Sequence, residues 1–211
     1  MATPRTNLSA REAFLRLKEG NGRYAQNLRS VDSLLGHVGK DMKWQSPFAI
    51  ILGCSDSRAP AETVFDQGLG DLFVIRVAGN IVAPSQVGSV EFGAERFGTR
   101  LVVVMGHTQC GAIDATIEAV TSEQGPASRN LSSIVDRIRP SIEGLVHTEF
   151  SRDPVKLRRE AMRANVRASV DHLRHGSAVI EALAFSEGLV VLGAELDLTS
   201  GEVRFFDEVG A

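Results

Sequence analysis

Cysteine is scarce in this 211-residue chain, which holds only Cys54 and Cys110. Two cysteines cannot carry the framework of a disulfide-stapled mini-domain. None is needed, because a chain of about 150 residues or more buries roughly 70% of its unfolded surface. Also missing is any uncharged apolar run approaching the ~18–20 residues of a membrane span. The N-terminus has no apolar core of the kind a secretory signal needs and carries Arg5, Arg11, Glu12, Arg16, Lys18 and Glu19 instead. A cytoplasmic location is the resulting expectation. Neither sign of charge dominates: 23 Lys and Arg face 26 Asp and Glu, for a net charge of −3. That excludes a globally basic surface for nucleic acid or an anionic membrane. With 43% hydrophobic and 23% charged residues, no internal repeat and no low-complexity segment, the chain is neither disordered nor fibrous.

What is present alternates between two periodicities. Apolar runs of strand length occur at Phe48–Gly53, Leu72–Val77, Leu101–Met105 and Leu189–Leu192. They are rich in Val and Ile, and the first and third are continuously apolar, as strands covered on both faces must be. Helical patterns occupy Pro84–Phe97, Cys110–Val120, Leu131–Leu145, Pro154–Arg174 and Ser177–Phe185. Ahead of them, Ser9–Asn27 reads as an amphipathic helix opened by a capping box, Ser9 with Glu12. Residues 28–46 read as loop. The segment VVLGAELDL followed by EVRFF across Thr199-Ser200-Gly201 predicts a hairpin that adds an antiparallel edge strand. The expected architecture is α/β, with a mostly parallel central β-sheet flanked by helices. It divides into an N-terminal helical arm and loop over 1–46 and one α/β domain over 47–211. Phe14, Leu15 and Leu17 have no obvious place on a three-layer monomer, so the arm is expected to pack on a neighbouring chain.

Ligands of open α/β sheets collect at the carboxyl ends of the strands. Two loops meet that description. Cys54-Ser55-Asp56-Ser57-Arg58 follows the first strand, and His107-Thr108-Gln109-Cys110-Gly111 follows the third. Together they supply two thiols, an imidazole and a carboxylate, a donor set suited to zinc, a borderline-soft ion usually bound four-coordinate. With 52 residues between Cys54 and His107, a compact zinc finger is excluded and a catalytic site on rigid strand ends is favoured. Two other readings of the residues stay open: two ordinary buried thiols, or a Cys110 nucleophile activated by His107 and a helix N-terminus.

The pairing of C-x-D-x-R with H-x-x-C at this separation resembles the β-class carbonic anhydrases. The resemblance extends over LKEGNGRY (17–24), QSPFAIILGCSDSR (45–58), FDQGLGDLFVIRVAGN (65–80), SVEFGA (89–94), VVVMGHTQCGA (102–112) and LVVLGAELDLTSGEV (189–203). It implies reversible hydration of carbon dioxide to bicarbonate and a proton, by attack of a zinc-bound hydroxide. Cys54, His107 and Cys110 resemble the fixed zinc ligands. Asp56 and Arg58 resemble a carboxylate–guanidinium dyad, in which Asp56 either closes the metal's fourth position or pairs with Arg58 and leaves that position to water. Two thiolate ligands would bring the zinc unit's formal charge to zero, so its water should be less acidic and activity should rise towards alkaline pH. Gln45 matches a glutamine that donates to substrate, Phe73 an apolar wall and Gly111 a backbone donor near the metal. In relatives the glutamine and the wall come from a partner subunit, which implies a homodimer or a dimer of dimers.

Some positions depart from the family pattern. Phe92 and Arg96 stand where some relatives carry tyrosine and histidine, which removes two candidate proton relays. The RNxAN-like segment reads Arg76-Val77-Ala78-Gly79-Asn80. Ile51 replaces the tryptophan of the bicarbonate-inhibited branch, which favours the open-site form. His37, His147, His172 and His175 have no ligand-like spacing to the two loops. The arginines of Lys156–Arg174 read as a solvated or subunit-contacting face. Hydrolysis of carbonyl sulfide or carbon disulfide by the same metal chemistry, and non-catalytic binding of zinc or bicarbonate, are the alternative functions.

Overall fold

The computed structural model describes residues 6, 8–28, 45–122 and 128–210. Five strands form one sheet: β1 (Ala49–Gly53), β2 (Leu72–Arg76), β3 (Leu101–His107), β4 (Val190–Leu196) and β5 (Val203–Phe205). The spatial order is β2-β1-β3-β4-β5. The first four are parallel, and β5 returns antiparallel to β4, with Leu196 opposite Val203. The expected fold class and edge hairpin are therefore present. β3 and β4 run further than their apolar cores suggested, through Gly106-His107 and through Ala194-Glu195-Leu196.

Helices described around the sheet are α1 (Ala10–Ala25), the single turn α2 (Ala61–Val64), α3 (Pro84–Phe97), α4 (Gly111–Thr121), α5 (Arg129–Ile142), α6 (Pro154–His175) and α7 (Ala178–Glu187). Their ends follow local chemistry. Ser9 and Glu12 close the capping box of α1 in both directions. Ser128 caps α5 by accepting from Leu131 N–H. Asp153 caps α6 with Pro154 at its first position. The predicted helix over 131–145 ends at Ile142, and Leu145–His147 winds as a separate 3₁₀ turn.

Because strand side chains alternate, β1 divides its burial between two cores. Ile50 and Leu52, with Val102, Val104 and Val191, meet α3 through α7. Ala49 and Ile51, with Leu101, Val103 and Leu192, meet α1 and α2. Here the expectation for the N-terminal arm is corrected. Phe14 and Leu17 are buried within their own chain, and Phe14 packs edge-on against Phe205 at 4.9 Å between ring centroids. A sheet apolar on both sides needs a second cover, and α1 is the long helix on that face; burying two such side chains is worth about 1.5–3 kcal/mol each. Leu15 alone of the three stays exposed. The approach is close: a Cβ on Gly20 would lie 1.8 Å from the Phe65 carbonyl oxygen. Buried Asn21 locks the contact by donating to the Val64 and Gly201 carbonyls and accepting from Val203 N–H.

On the opposite face, the arginines of α6 lie on a largely solvated helix face, as expected, but two of them also reach back to this chain's own sheet. Arg159 and Arg163 each donate to the fully buried carboxylate of Glu195 on β4, at 2.6 and 2.7 Å. A buried carboxylate needs such partners to offset its lost hydration. Arg158 pairs with Asp114 and Arg167 lies over Phe206.

Candidate metal centre

The sheet register builds the site. Gly53 at the end of β1 is paired with Met105 in β3, so the next residue, Cys54, arrives beside the end of β3, where His107 is the last residue. Cys110 is the N-cap of α4. The Cys54, His107 and Cys110 ligand atoms lie within 4.8 Å of one another, and all three residues are buried. The two sulfurs are 4.0 Å apart. A tetrahedral zinc ion with bonds of about 2.3 Å to sulfur would need about 3.8 Å. His107 Nδ1 lies 2.8 Å from the Thr108 carbonyl oxygen, which fixes Nδ1–H as the donor and leaves Nε2 with its lone pair. That Nε2 is buried with no hydrogen-bond partner among the described residues. A buried orphan nitrogen is costly, and a metal between it and the two sulfurs would satisfy it. The donor set and its spacing fit zinc.

Without a metal, the two thiols share one hydrogen bond. It lowers the pKa of Cys54 and raises that of Cys110, since only one of two buried neighbours can ionise easily. Gly79 N–H adds a hydrogen bond to Cys54 Sγ at 3.4 Å.

Asp56 and Arg58 stand beside the triad. The guanidinium meets the carboxylate in a fork, Nε to Oδ1 at 3.0 Å and Nη2 to Oδ2 at 2.8 Å, and Arg58 N–H adds a bond to Oδ1. That guanidinium, above all, holds the Asp56 carboxyl well below the usual carboxylate range. Asp56 Oδ2 is also 4.0 Å from His107 Nε2, so the carboxylate borders the space the three ligands enclose.

Gly111 opens α4 immediately after Cys110, so its N–H belongs to a helix N-terminus beside the triad. Gln45 and Phe73 are not brought to this chain's own triad. Phe73 is paired with Ile50, four residues before Cys54 and about 13 Å away along the strand. Its ring packs with Phe92 and Phe97. Gln45 lies near Gly70, ahead of β1. His37 falls outside the described residues. A cavity of about 310 Å³ touches His107 and Cys110 from the side of α6, where Val155, Arg158 and Met162 line it; Asp56 and Arg58 take no part in it.

Three contributors escaped the sequence reading as functional groups. Arg76, the charge that ends the apolar run of β2, donates Nε to the Cys54 carbonyl and Nη2 to the Asp56 carbonyl, clamping the ligand loop. Gln109 adopts φ +57° and offers its backbone and side-chain oxygens to Arg58. Thr108 orients His107 and ties the loop to the β4–β5 turn through Leu198 N–H. Their only sequence signal is position, at strand ends on the carboxyl edge or within H-x-x-C.

Fold and centre together define an α/β protein with a thiol–imidazole–thiol cluster able to hold a metal ion at the carboxyl edge of its sheet. The family model described as carbonic anhydrase matches residues 49–203. The chain is 33% identical to carbonic anhydrase 2 of Mycobacterium tuberculosis over 98% of its length and 97% of that protein. It is 39% identical to a carbonic anhydrase of Mycolicibacterium smegmatis over 62% of its length and 63% of that protein. Among solved structures, the β-carbonic anhydrase CafA of Aspergillus fumigatus superposes with a TM-score of 0.73 at 24% identity, covering 94% of this chain and 91% of that one. A tetrameric β-carbonic anhydrase from Sordaria macrospora gives 0.70 at 23% identity, covering 79% and 84%. This chain belongs to the carbonic anhydrase family, and its fold is that of the β class.

Proposed function

We propose that Cys54, His107 and Cys110 hold one zinc ion per chain and that the protein catalyses reversible hydration of carbon dioxide to bicarbonate and a proton. The observation that carries this reading is the orphaned, buried His107 Nε2 converging with two buried thiols, with the Asp56 carboxylate 4.0 Å from that nitrogen. Zinc, when bound, supplies a Lewis acid that makes water nucleophilic near neutral pH. Asp56, ionised, accepts a hydrogen bond from the attacking O–H and so turns an oxygen lone pair towards carbon dioxide. Arg58 keeps that carboxylate charged and in one orientation, and Gln109 steadies Arg58 in turn. Gly111 N–H, at the start of α4, offers a donor to the oxygen on which negative charge develops. The Asp56–Arg58 pair also argues against a metal permanently closed by Asp56 in a purely binding protein, because the guanidinium fork competes with a metal for that carboxylate and turns it towards Arg58.

Turnover on the three gases separates carbon dioxide hydration from hydrolysis of carbonyl sulfide or carbon disulfide. Carbon dioxide is expected to exceed either sulfur gas by about tenfold or more in kcat/KM, with the rate rising towards alkaline pH. Faster consumption of a sulfur gas would overturn the assignment.

Gln45 and Phe73 complete the substrate pocket of a second copy, which makes the active form a homodimer or a dimer of dimers. Their position at the amino end of β1 and β2, away from this chain's triad, supports that reading. The neighbour from Sordaria macrospora is described as tetrameric. Light scattering at micromolar concentration should return the mass of two or four chains. A monomer that retains activity contradicts the shared pocket. A cytoplasmic location is supported by two free cysteines, suited to a reducing compartment. No described helix is long and apolar enough to cross a membrane. Cell fractionation that recovers the protein outside the cytoplasm would refute it.

A further inference from the structure

The Gly79 N–H that reaches Cys54 Sγ belongs to an unusual piece of backbone. Between β2 and α3 the chain makes a tight turn, Ala78–Asn80, in which Gly79 has φ +69° and Asn80 has φ +44°. Two successive left-handed residues, one of them not glycine, cost free energy that the surroundings must offset. Glycine is doubly required at the first: a Cβ there would lie 2.8 Å from Ile138 Cδ1 and 3.0 Å from Ala112 Cβ. The turn is held from behind by α6. Asn165 Nδ2 donates to the Gly79 carbonyl at 2.8 Å, and Ser169 Oγ donates to the Asn80 carbonyl at 3.2 Å. Asn165 and Ser169 are four residues apart, hence on one helix face, and both are buried. Neither touches the three ligands. Both are polar groups placed inside an otherwise apolar helix face, between Met162, Val166 and Val170.

We propose that Asn165, seconded by Ser169, is a positioning residue of the metal centre: it holds the Ala78–Asn80 turn so that the Gly79 N–H stays on Cys54 Sγ, and thereby sets how strongly that sulfur donates to the metal. The proposal rests on the reading of Cys54 as a ligand. A hydrogen bond to a ligating sulfur withdraws electron density from it, and outer groups of this kind tune a metal site as the ligands themselves do. The effect matters here because two thiolates already neutralise the formal charge of a divalent ion. Fixing two consecutive carbonyls fixes the peptide planes on either side of Asn80 and, through the Gly79 Cα, limits the preceding Ala78–Gly79 plane, which carries the Gly79 N–H. Without these donors the strained pair is free to relax, and the N–H turns off the sulfur.

Cobalt(II) in place of zinc makes the sulfur visible, because a thiolate bound to cobalt gives a charge-transfer band in the near ultraviolet. In the parent protein that band should be present; its absence would refute the ligand reading rather than this proposal. In Asn165→Ala the band should move to longer wavelength, because a sulfur that loses its hydrogen bond gives up an electron more easily. Ser169→Ala should move it in the same direction by less. Val170→Ala, a cavity on the same helix that removes neither donor, should destabilise the fold and leave the band in place. A band unmoved in both Asn165→Ala and Ser169→Ala, or moved equally by Val170→Ala, would overturn the assignment. Should Asn165→Ala fail to fold, Ser169→Ala, which deletes one hydroxyl, decides the matter alone.

Discussion

Cys110→Ala should leave the purified protein nearly free of zinc, against about one ion per chain in the parent. Zinc held by four groups has an apparent binding free energy of about 10–16 kcal/mol at neutral pH, so one ligand is worth several kcal/mol and its loss costs about a thousandfold or more in affinity. Alanine leaves no compensating donor at this position, since Cys110 caps α4 without a side-chain hydrogen bond to the helix. Hydration of carbon dioxide should fall with the metal. Cys54→Ala and His107→Ala should behave alike, because all three atoms converge within 4.8 Å. Metal analysis is the check, and full zinc occupancy in Cys110→Ala would sink the ligand set.

Asp56→Asn is expected to separate binding from catalysis: zinc retained, hydration down by about a hundredfold or more. The amide is nearly isosteric but replaces one acceptor with a donor. Facing the Arg58 fork, it can keep at most one of the two bonds now formed at 3.0 and 2.8 Å, and it carries no charge for the guanidinium to neutralise. The pH dependence adds a second signature. Because Arg58 holds the Asp56 carboxyl well below the usual carboxylate range, the parent keeps it ionised throughout pH ~6–9, and only at lower pH would protonation remove it. The deficit of Asp56→Asn should therefore be the same at every pH in that window. A variant that hydrates carbon dioxide at the parental rate, or one rescued by raising the pH, would show that the carboxylate has another role.

The core of the fold was legible because its strands are written without interruption. Phe48–Gly53 and Leu101–Met105 are apolar at every position, which only a sheet buried on both faces tolerates. The convergence of Cys54, His107 and Cys110 was legible for a related reason: thiol and imidazole at the ends of neighbouring strands must meet at the carboxyl edge of the sheet. Residues whose meaning depends on distant partners could not be read this way. Glu195 interrupts an apolar strand, and nothing local says that Arg159 and Arg163 will reach it. Arg76 reads as the charge that stops a strand, yet its donors go to two carbonyls of the ligand loop. The arm was misplaced because counting layers does not show which face of the sheet lacks a cover. Five of the later helices described share one face, and the other has only the single turn α2 besides the α1 side chains Phe14 and Leu17 among the described helices.

The spacing of the three ligands bears on when the site comes into being. His107 and Cys110 are neighbours in the chain, but Cys54 reaches them only when β1 lies beside β3, and β2 and α3 intervene in sequence. A nascent or unfolded chain thus offers an ion one histidine and one cysteine in a single short stretch, too few to hold it. Tight capture waits on a long-range, parallel pairing, the kind of contact that forms slowly because so much chain must first be closed. In a small zinc module the ion gathers the polypeptide around itself; here the sheet must assemble first, and an ion held by these three groups would be the last part to be fitted.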